Sequence, residues 1–164
     1  MRLLRFFIIS CLSLFAIAAL IGILLPSTVL VSRAVDIAAP KEVIRPYVDS
    51  IQNWKTWMEG MDQAAVSISS YAKADLAGTE VTLTSISDST LVSEWKARNG
   101  TVQVSTVRFI SDTAHQVTVV QWQFVQKLKW YPWERLGSMM NDKILGTMME
   151  KNLNKLKSLC EHKE

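Results

Sequence analysis

Twenty consecutive residues near the N-terminus carry no charge. The run begins at Phe6, ends at Leu25 and is followed by Pro26. At a rise of about 1.5 Å per residue, a helix of this length spans roughly 30 Å, which is the thickness of the hydrocarbon core of a bilayer. A buried helix of a soluble protein normally has a polar face, which two serines and one glycine do not provide. The pattern predicts a membrane-spanning helix.

A cleaved signal peptide is the main alternative, because Arg2 and Arg5 form a positive segment before the apolar run. However, the run is longer than the roughly 7–15 apolar residues of a secretory signal, and its small-residue triplet, residues 16–18, lies inside it. A lipoprotein signal is disfavoured because most of the apolar stretch follows Cys11. We therefore expect a retained anchor. Its N-terminus should lie in the cytoplasm, since the positive charges precede the span.

Beyond the anchor, the pattern predicts a strand followed by two short helices. Residues 28–38 alternate and are rich in β-branched side chains, so a strand should begin almost at the membrane surface. Pro40 suits the first turn of a helix over the following residues, which Pro46 should end or kink. Residues 49–57 can form the second short helix.

Residues 64–126 change to a period of two, which is typical of strands with one buried face. Turn-forming pairs separate the runs, and these pairs are Ala77-Gly78, Asp88-Ser89, Asn99-Gly100 and Ser111-Asp112. The segment should be an antiparallel meander of about five strands. Its last two strands change phase midway, so we expect β-bulges near Ser105 and Val120 that would curl the sheet.

A long amphipathic helix is predicted after the strands. Between residues 134 and 159, apolar side chains recur every three or four residues, at Leu136, Met139, Met140, Leu145, Met148, Met149, Leu153, Leu156 and Leu159. Such a helix should lie across the concave face of the curled sheet. The predicted fold class is α+β, in the order strand, two helices, about five strands and one long helix.

This order of elements resembles the START-like, or SRPBCC, superfamily, whose helix-grip fold curls an antiparallel sheet around a long C-terminal helix. The residues that carry the resemblance are 31–40 (VSRAVDIAAP), 53–57 (NWKTW) and 151–157 (KNLNKLK). They are most similar to the bacterial polyketide cyclase/dehydrase-like proteins, several of which carry an N-terminal membrane anchor. The chain departs from this pattern at residues 58–61 (MEGM), where many relatives have a proline. The resemblance therefore does not define the shape of a pocket entrance.

The charge balance changes once the anchor is set aside. The net charge of +3 includes Arg2 and Arg5, and the rest of the chain has 16 basic and 15 acidic residues. So small an excess gives no reason to expect a nucleic-acid partner. Lys127, Lys129 and the lysines of the last helix form a mild basic bias, which we interpret as a solvent-exposed helix face. Cys160 lies near the C-terminus and cannot pair with the cysteine of the apolar run, so no disulfide is expected.

No catalytic constellation is visible in the sequence. Metal-binding and nucleotide-binding motifs do not occur, so neither a metal nor another cofactor is predicted. His115 and His162 are the two imidazoles, one before a strand and the other in the C-terminal tail. Glu94 and Asp142 could be buried carboxylates, but exposed residues in salt bridges are the simpler interpretation.

Large apolar side chains are abundant, with six tryptophans and seven methionines. Each alone is more simply a core residue, although aromatic side chains and adaptable methionines also line ligand pockets. The resemblance implies a cavity between the sheet and the last helix. Our candidates for its lining are Trp54, Trp57, Trp95, Trp122, Phe124, Leu136, Met139, Met140 and Met148.

The chain is therefore expected to divide into residues 1–26, the cytoplasmic tip and membrane span, and residues 27–164, a START-like domain. We expect this domain to bind a lipid or another hydrophobic small molecule beside the bilayer, on the periplasmic side of a bacterial inner membrane. Two alternatives stay open. One is an enzyme of the polyketide cyclase/dehydrase type, and the other is a non-catalytic envelope interaction domain with a closed core.

Overall fold

The computed structural model describes residues 2–24, 26–112, 114–129 and 132–161, without the side chains of residues 2, 23, 132, 133, 136 and 138–141. The elements are helix α1 (Arg2–Leu24), strand β1 (Thr28–Ile37), helix α2 (Lys41–Val48), a 3₁₀ helix (Ile51–Thr56), strands β2 (Val66–Ile68), β3 (Lys73–Leu76), β4 (Thr79–Ile86), β5 (Thr90–Ala97), β6 (Val102–Asp112) and β7 (Val117–Lys127), and helix α3 (Pro132–Glu161). The expected α+β order is confirmed, with six described strands rather than about five after the helices.

Seven strands form one antiparallel sheet in the order β1-β7-β6-β5-β4-β3-β2. β1 enters the sheet directly after α1, so one end of the sheet is fixed beside the end of α1. We call the strand ends on this side of the sheet the proximal edge, and the strand ends on the opposite side the distal edge. The strand pairing places five residues along the proximal edge, and they are Thr28, Lys127, Val102, Ala97 and Thr79.

The two expected β-bulges are wrong. β6 and β7 pair without a register shift from one end to the other. Their inward-facing side chains keep one phase through Ser105 and Thr118, which are buried, whereas Val102 and Val104 face outward and are 38% and 40% exposed. The hydrophobic pattern misled because the inward positions Ser105 and Thr118 are polar, whereas four outward positions are valines, namely Val102, Val104, Val117 and Val119. The strands are therefore straight in register, with the usual alternation of faces.

Three of the four expected turn pairs do connect strands. Ala77 and Gly78 have φ values of 53° and 93°, the left-handed pair that a two-residue hairpin turn requires. Gly100 follows with φ of 79° between β5 and β6. The fourth pair, Ser111-Asp112, is wrong because both residues lie within β6. β3 was not predicted, because it is only four residues long and pairs on one side with a strand of three residues.

Both short helices are present, in altered form. α2 begins after Pro40 and continues through Pro46 to Val48, so of the two expected effects of this proline, an end or a kink, the end does not occur. The second helix is a single 3₁₀ segment, which places Ile51 and Trp54 in the core. A bond from Asn53 Nδ2 to the carbonyl oxygen of Pro46 (2.7 Å) joins the two helices. Together they position two tryptophans, Trp54 and Trp57, beneath the sheet.

Arg33 links β1 to the middle of α3. Arg33 faces inward from β1, where its Nε is 2.6 Å from Glu150 Oε1 and its Nη1 is 3.3 Å from Asp142 Oδ1. The two carboxylates raise the pKa of Arg33 above its ordinary value through hydrogen bonds and charge. The guanidinium lies over Gly146, whose missing Cβ makes room for it. The arrangement holds the middle of α3 against the edge strand.

α1 has the length and composition of a membrane span, with its apolar segment at Leu3–Gly22, of which only Gly22 is buried in the protein. A signal sequence near the N-terminus can satisfy the same test of length and apolar composition. Of the predicted ends of the run, Phe6 lies within α1, and Leu25 falls outside the described residues. Gly22 contacts α3, because its carbonyl oxygen accepts a bond from Arg135 Nη1 at 2.6 Å.

Two alanine substitutions in α3 test the role of Arg33. Gly137→Ala should raise the free energy of unfolding by about 0.5–1 kcal/mol, because alanine favours the helix and its Cβ meets open space. Gly146→Ala should lack this gain, because its Cβ would overlap the Arg33 guanidinium and displace it from both carboxylates. Urea denaturation of the full-length protein in detergent measures both variants. Equal gains would show that Arg33 does not fasten α3.

Candidate functional site

Five of the predicted cavity residues come together as one aromatic cluster, which consists of Trp54, Trp57, Trp95, Trp122 and Phe124. Neighbouring rings have centroids 5.2–6.4 Å apart, and the contacts close a complete circuit of the five side chains. Four contacts are edge-on or tilted, and Trp54 stacks on Trp95 with an interplanar angle of 12°. These are the geometries that aromatic pairs prefer.

Each indole of the cluster has a hydrogen-bond acceptor. Trp54 Nε1 donates to the carbonyl oxygen of Val48 at 2.7 Å, and Trp57 Nε1 to that of Tyr47 at 2.9 Å. The other two donate to serines on the sheet. Trp122 Nε1 lies 2.8 Å from Ser105 Oγ, and Trp95 Nε1 lies 3.0 Å from Ser93 Oγ. Ser105, where the sequence pattern changed phase, and Ser93 therefore serve as acceptors for tryptophans.

The interior of the cluster is packed. The void among Trp54, Trp57, Trp122, Ser93 and Ser105 is about 10 Å³, which is too small for a ligand. Trp54, Trp57 and Trp122 are at most 3% exposed. These three predicted cavity residues thus form the core of the domain, and the space expected in its centre is filled by side chains.

An open pocket lies beside the cluster, between α3 and the proximal edge of the sheet. Its volume is about 260 Å³, and we call it the proximal pocket. Its lining is formed by Thr79, Trp95, Ala97, Thr101, Gln103, Phe124, Leu145 and Met148. Thr79 and Ala97 lie on the proximal edge itself, so the pocket reaches that edge at strands β4 and β5.

The lining of the proximal pocket combines apolar side chains with a few uncharged polar ones. Trp95, Phe124, Leu145 and Met148 supply the apolar walls, and two threonines and Gln103 supply polar groups. Gln103 Nε2 donates to Gln126 Oε1 at 2.8 Å, which orients its amide. The volume is slightly below the roughly 300–1,000 Å³ that is typical of ligand pockets. The pocket therefore suits one compact apolar molecule or a segment of a longer one.

The structure separates the predicted cavity residues into three groups. Trp95, Phe124 and Met148 line the proximal pocket, whereas the other three tryptophans of the prediction are core residues. The side chains of Leu136, Met139 and Met140 lie outside the described part of the chain. Five lining residues were not predicted: Thr79, Ala97, Thr101, Gln103 and Leu145. Straight alternation through β6 would have placed Gln103 on the inner face.

The other candidates from the sequence lie elsewhere. His115 Nδ1 is 2.7 Å from Asp112 Oδ2 in an exposed turn at the distal edge, and this contact lowers the pKa of Asp112. Glu94 is exposed on the outer face of β5, and Asp142 pairs with Arg33. His162 is outside the described residues. Within the described residues, no group of three or more side chains could hold a metal ion.

The MEGM stretch, at which the chain departs from the resemblance, packs against α3. Met58 and Met61 are buried, and the backbone N–H of Glu59 donates to Asn152 Oδ1 at 3.0 Å. Lys151 adds an ion pair to Glu59 at 2.7 Å. None of these residues lines the proximal pocket. The stretch therefore closes the core and does not form the pocket entrance.

The sheet and helix together define the class of the protein. A curved antiparallel sheet that grips a long C-terminal helix is the helix-grip fold of START-like domains. The family model described as "Polyketide cyclase / dehydrase and lipid transport" matches residues 28–161, and the chain belongs to this family. No curated protein matches the sequence.

Solved structures confirm the fold. A START superfamily protein from Mycobacterium smegmatis has 14% identity and a TM-score of 0.62, covering 80% of this chain and 97% of its own. A protein from Thermobifida fusca has 12% identity and a TM-score of 0.65, covering 80% and 92%. The di-domain ARO/CYC protein BexL has 14% identity and a TM-score of 0.63, covering 84% of this chain and 52% of its own.

Two serine substitutions test how the cluster is held. Ser105→Ala should lower the free energy of unfolding by about 1–3 kcal/mol, because the Trp122 indole N–H would be left buried without an acceptor. Ser93→Ala is the matched control, since it removes an equally buried hydroxyl from the half-buried Trp95. It should cost less, because the Trp95 N–H can reach water. Urea denaturation followed by tryptophan fluorescence measures both, and equal losses would contradict this account.

Proposed function

We propose that the protein is a membrane-anchored domain that binds a lipid or another apolar small molecule in the proximal pocket. The observation that carries this proposal is the position of the pocket. It opens at the proximal edge, where α1 joins the sheet, and three residues separate α1 from β1. A domain so tethered holds the pocket at a high effective concentration of membrane lipid.

Contacts at the junction support a fixed orientation of the domain. Arg135, near the start of α3, donates to the carbonyl oxygen of Gly22 in the last turn of α1. The backbone N–H of Leu128 donates to the carbonyl oxygen of Ser27 at 2.8 Å, which joins the linker to the end of β7. A cation at the C-terminal end of a helix is favourable for the helix dipole. These contacts tie the start of α3 and the end of β7, both at the proximal edge, to the end of α1.

The chemistry of the lining favours binding over catalysis. None of the eight described lining residues carries an acid or a base, so acid–base catalysis in the pocket has no described group to perform it. Apolar walls with a few uncharged polar groups are typical of a site for a hydrophobic molecule. The family description, which includes lipid transport, is consistent with such a ligand. We place binding before the alternative of a cyclase or dehydrase.

Retention of α1 is the first expected outcome. The protein extracted from membranes should have the intact mass of a chain that still contains Arg2 and Arg5, because the apolar run is longer than that of a secretory signal. It should also stay in the membrane pellet after alkaline carbonate treatment. A mature chain that begins within or after the apolar run would contradict the anchor.

Ligand binding can be tested by filling the pocket. Ala97→Phe should reduce photo-crosslinking of a diazirine-bearing acyl lipid to the lining of the proximal pocket at least about tenfold, equivalent to about 1.4 kcal/mol. The full-length protein is used in lipid nanodiscs, and labelled peptides are mapped by mass spectrometry. Labelling of α1 by bulk lipid serves as the internal reference and should not change.

The matched control is Ala34→Phe, the same substitution on the exposed outer face of β1. It should leave labelling of the pocket unchanged. If the wild-type pocket peptides are not labelled while α1 is, the lipid-binding proposal is wrong. If both phenylalanine variants reduce labelling equally, the effect does not come from occupation of the pocket.

A further inference from the structure

The outer face of the sheet carries an apolar stripe close to the proximal edge. Leu30 pairs with Val125, and Val125 pairs with Val104, so these three side chains lie side by side on β1, β7 and β6. Val102 continues the stripe toward the proximal edge. Leu30 is 58% exposed, and Val102 and Val104 are 38% and 40% exposed. We call these four residues the outer patch.

Basic residues adjoin the outer patch where the chain leaves β7. Lys127 and Lys129 line a groove of about 330 Å³ together with Val102, Val104 and Val125. Arg135 Nε donates to the carbonyl oxygen of Lys129 at 3.3 Å, and its Nη1 contacts Gly22 at the end of α1. We call Lys127, Lys129 and Arg135 the basic corner.

Two carboxylates lie near these groups. Glu134 also lines the groove, and its Oε2 accepts the backbone N–H of Lys129 at 2.9 Å. Glu94 faces outward opposite Val104, on the side of the outer patch away from the basic corner. The cations therefore outnumber the carboxylates at the end of α1. A bilayer with a negative surface would meet the positive side of the patch first.

We propose that the basic corner and the outer patch dock on the surface of a bilayer that contains anionic lipid. This proposal rests on the proposed anchoring by α1, because only a membrane-spanning α1 places its Gly22 end at the bilayer interface. Lysines near such a surface contribute about fivefold each to binding, and apolar side chains can enter the headgroup region. Docking would press the proximal edge, and with it the pocket, against the lipid.

The test uses the full-length chain in nanodiscs at one copy per disc. Val104→Cys carries an environment-sensitive NBD fluorophore, in a background with Cys11→Ser and Cys160→Ala. Ile110→Cys is the matched control, since Ile110 is 51% exposed on the same strand and face, roughly 20 Å toward the distal edge. Discs contain phosphatidylcholine alone or mixed with an equal amount of phosphatidylglycerol, and nitroxide-labelled lipid quenches fluorophores that enter the bilayer.

The Val104 fluorophore should be quenched in anionic discs and not in neutral ones, and the Ile110 fluorophore in neither. Lys127→Gln should reduce the ratio of docked to undocked protein about fivefold, because one lysine is lost from the surface that meets the anionic lipid. High salt should also reduce this ratio, because it screens the attraction between the lysines and the lipid. Lys155→Gln, on the exposed distal part of α3, should have no effect.

Several outcomes would overturn the docking proposal. One is equal water exposure of both fluorophores in anionic discs, and another is quenching that does not depend on anionic lipid or on Lys127. If the fluorophore at position 104 is shielded from water only in discs with two copies of the chain, the outer patch binds a second copy and not the bilayer. A chain that does not insert into discs would instead refute the anchor. Loss of lipid crosslinking in the pocket with intact docking would refute the proposed function alone.

Discussion

The contact between Arg33 and α3 fixes the lateral position of the helix on the sheet, and this position determines where a pocket is left open. The arginine holds the middle of α3 against β1, which is the outermost strand of the sheet, through Asp142 and Glu150. The other side of the helix, at Leu145 and Met148, then faces strands β4 to β6 across a gap. A helix centred on the sheet would cover both halves evenly. Its fixed lateral position leaves the proximal pocket open, and glycine at position 146 is what permits the close approach.

The aromatic cluster explains why the pocket lies at the proximal edge of the sheet and not in the centre of the domain. Large rings from the helical segment between β1 and β2 meet rings from β5 and β7, and the remaining void is about 10 Å³. Ser93 and Ser105 accept the indole N–H groups of two of them, so the polar atoms of the core are paired. Burial of paired polar groups costs little and fixes the orientation of each ring.

The order of the elements and the long last helix could be predicted from periodicity and resemblance, and so could three of the eight residues that line the pocket, Trp95, Phe124 and Met148. Gln103 could not, because its position depends on which face of β6 points inward. Ser105 is polar and buried, whereas Val104 is apolar and exposed, so the hydrophobic pattern indicated a bulge that does not exist. Because of that error, Gln103 was not predicted to line the pocket, and Val102 and Val104 were expected on the inner face of the sheet. Periodicity cannot reveal a buried serine whose partner is a distant tryptophan.

The straight register brings three features to one edge of the sheet. The proximal pocket opens there from the inner face, the outer patch lies on the opposite face, and the end of α1 joins between them. An apolar molecule that leaves a pocket into water must expose its surface, at about 25 cal/mol for each Å². A pocket mouth held against a bilayer avoids that cost, because the molecule passes directly between two apolar environments. Under the proposed function, the membrane would be both the support of the domain and the source of its ligand.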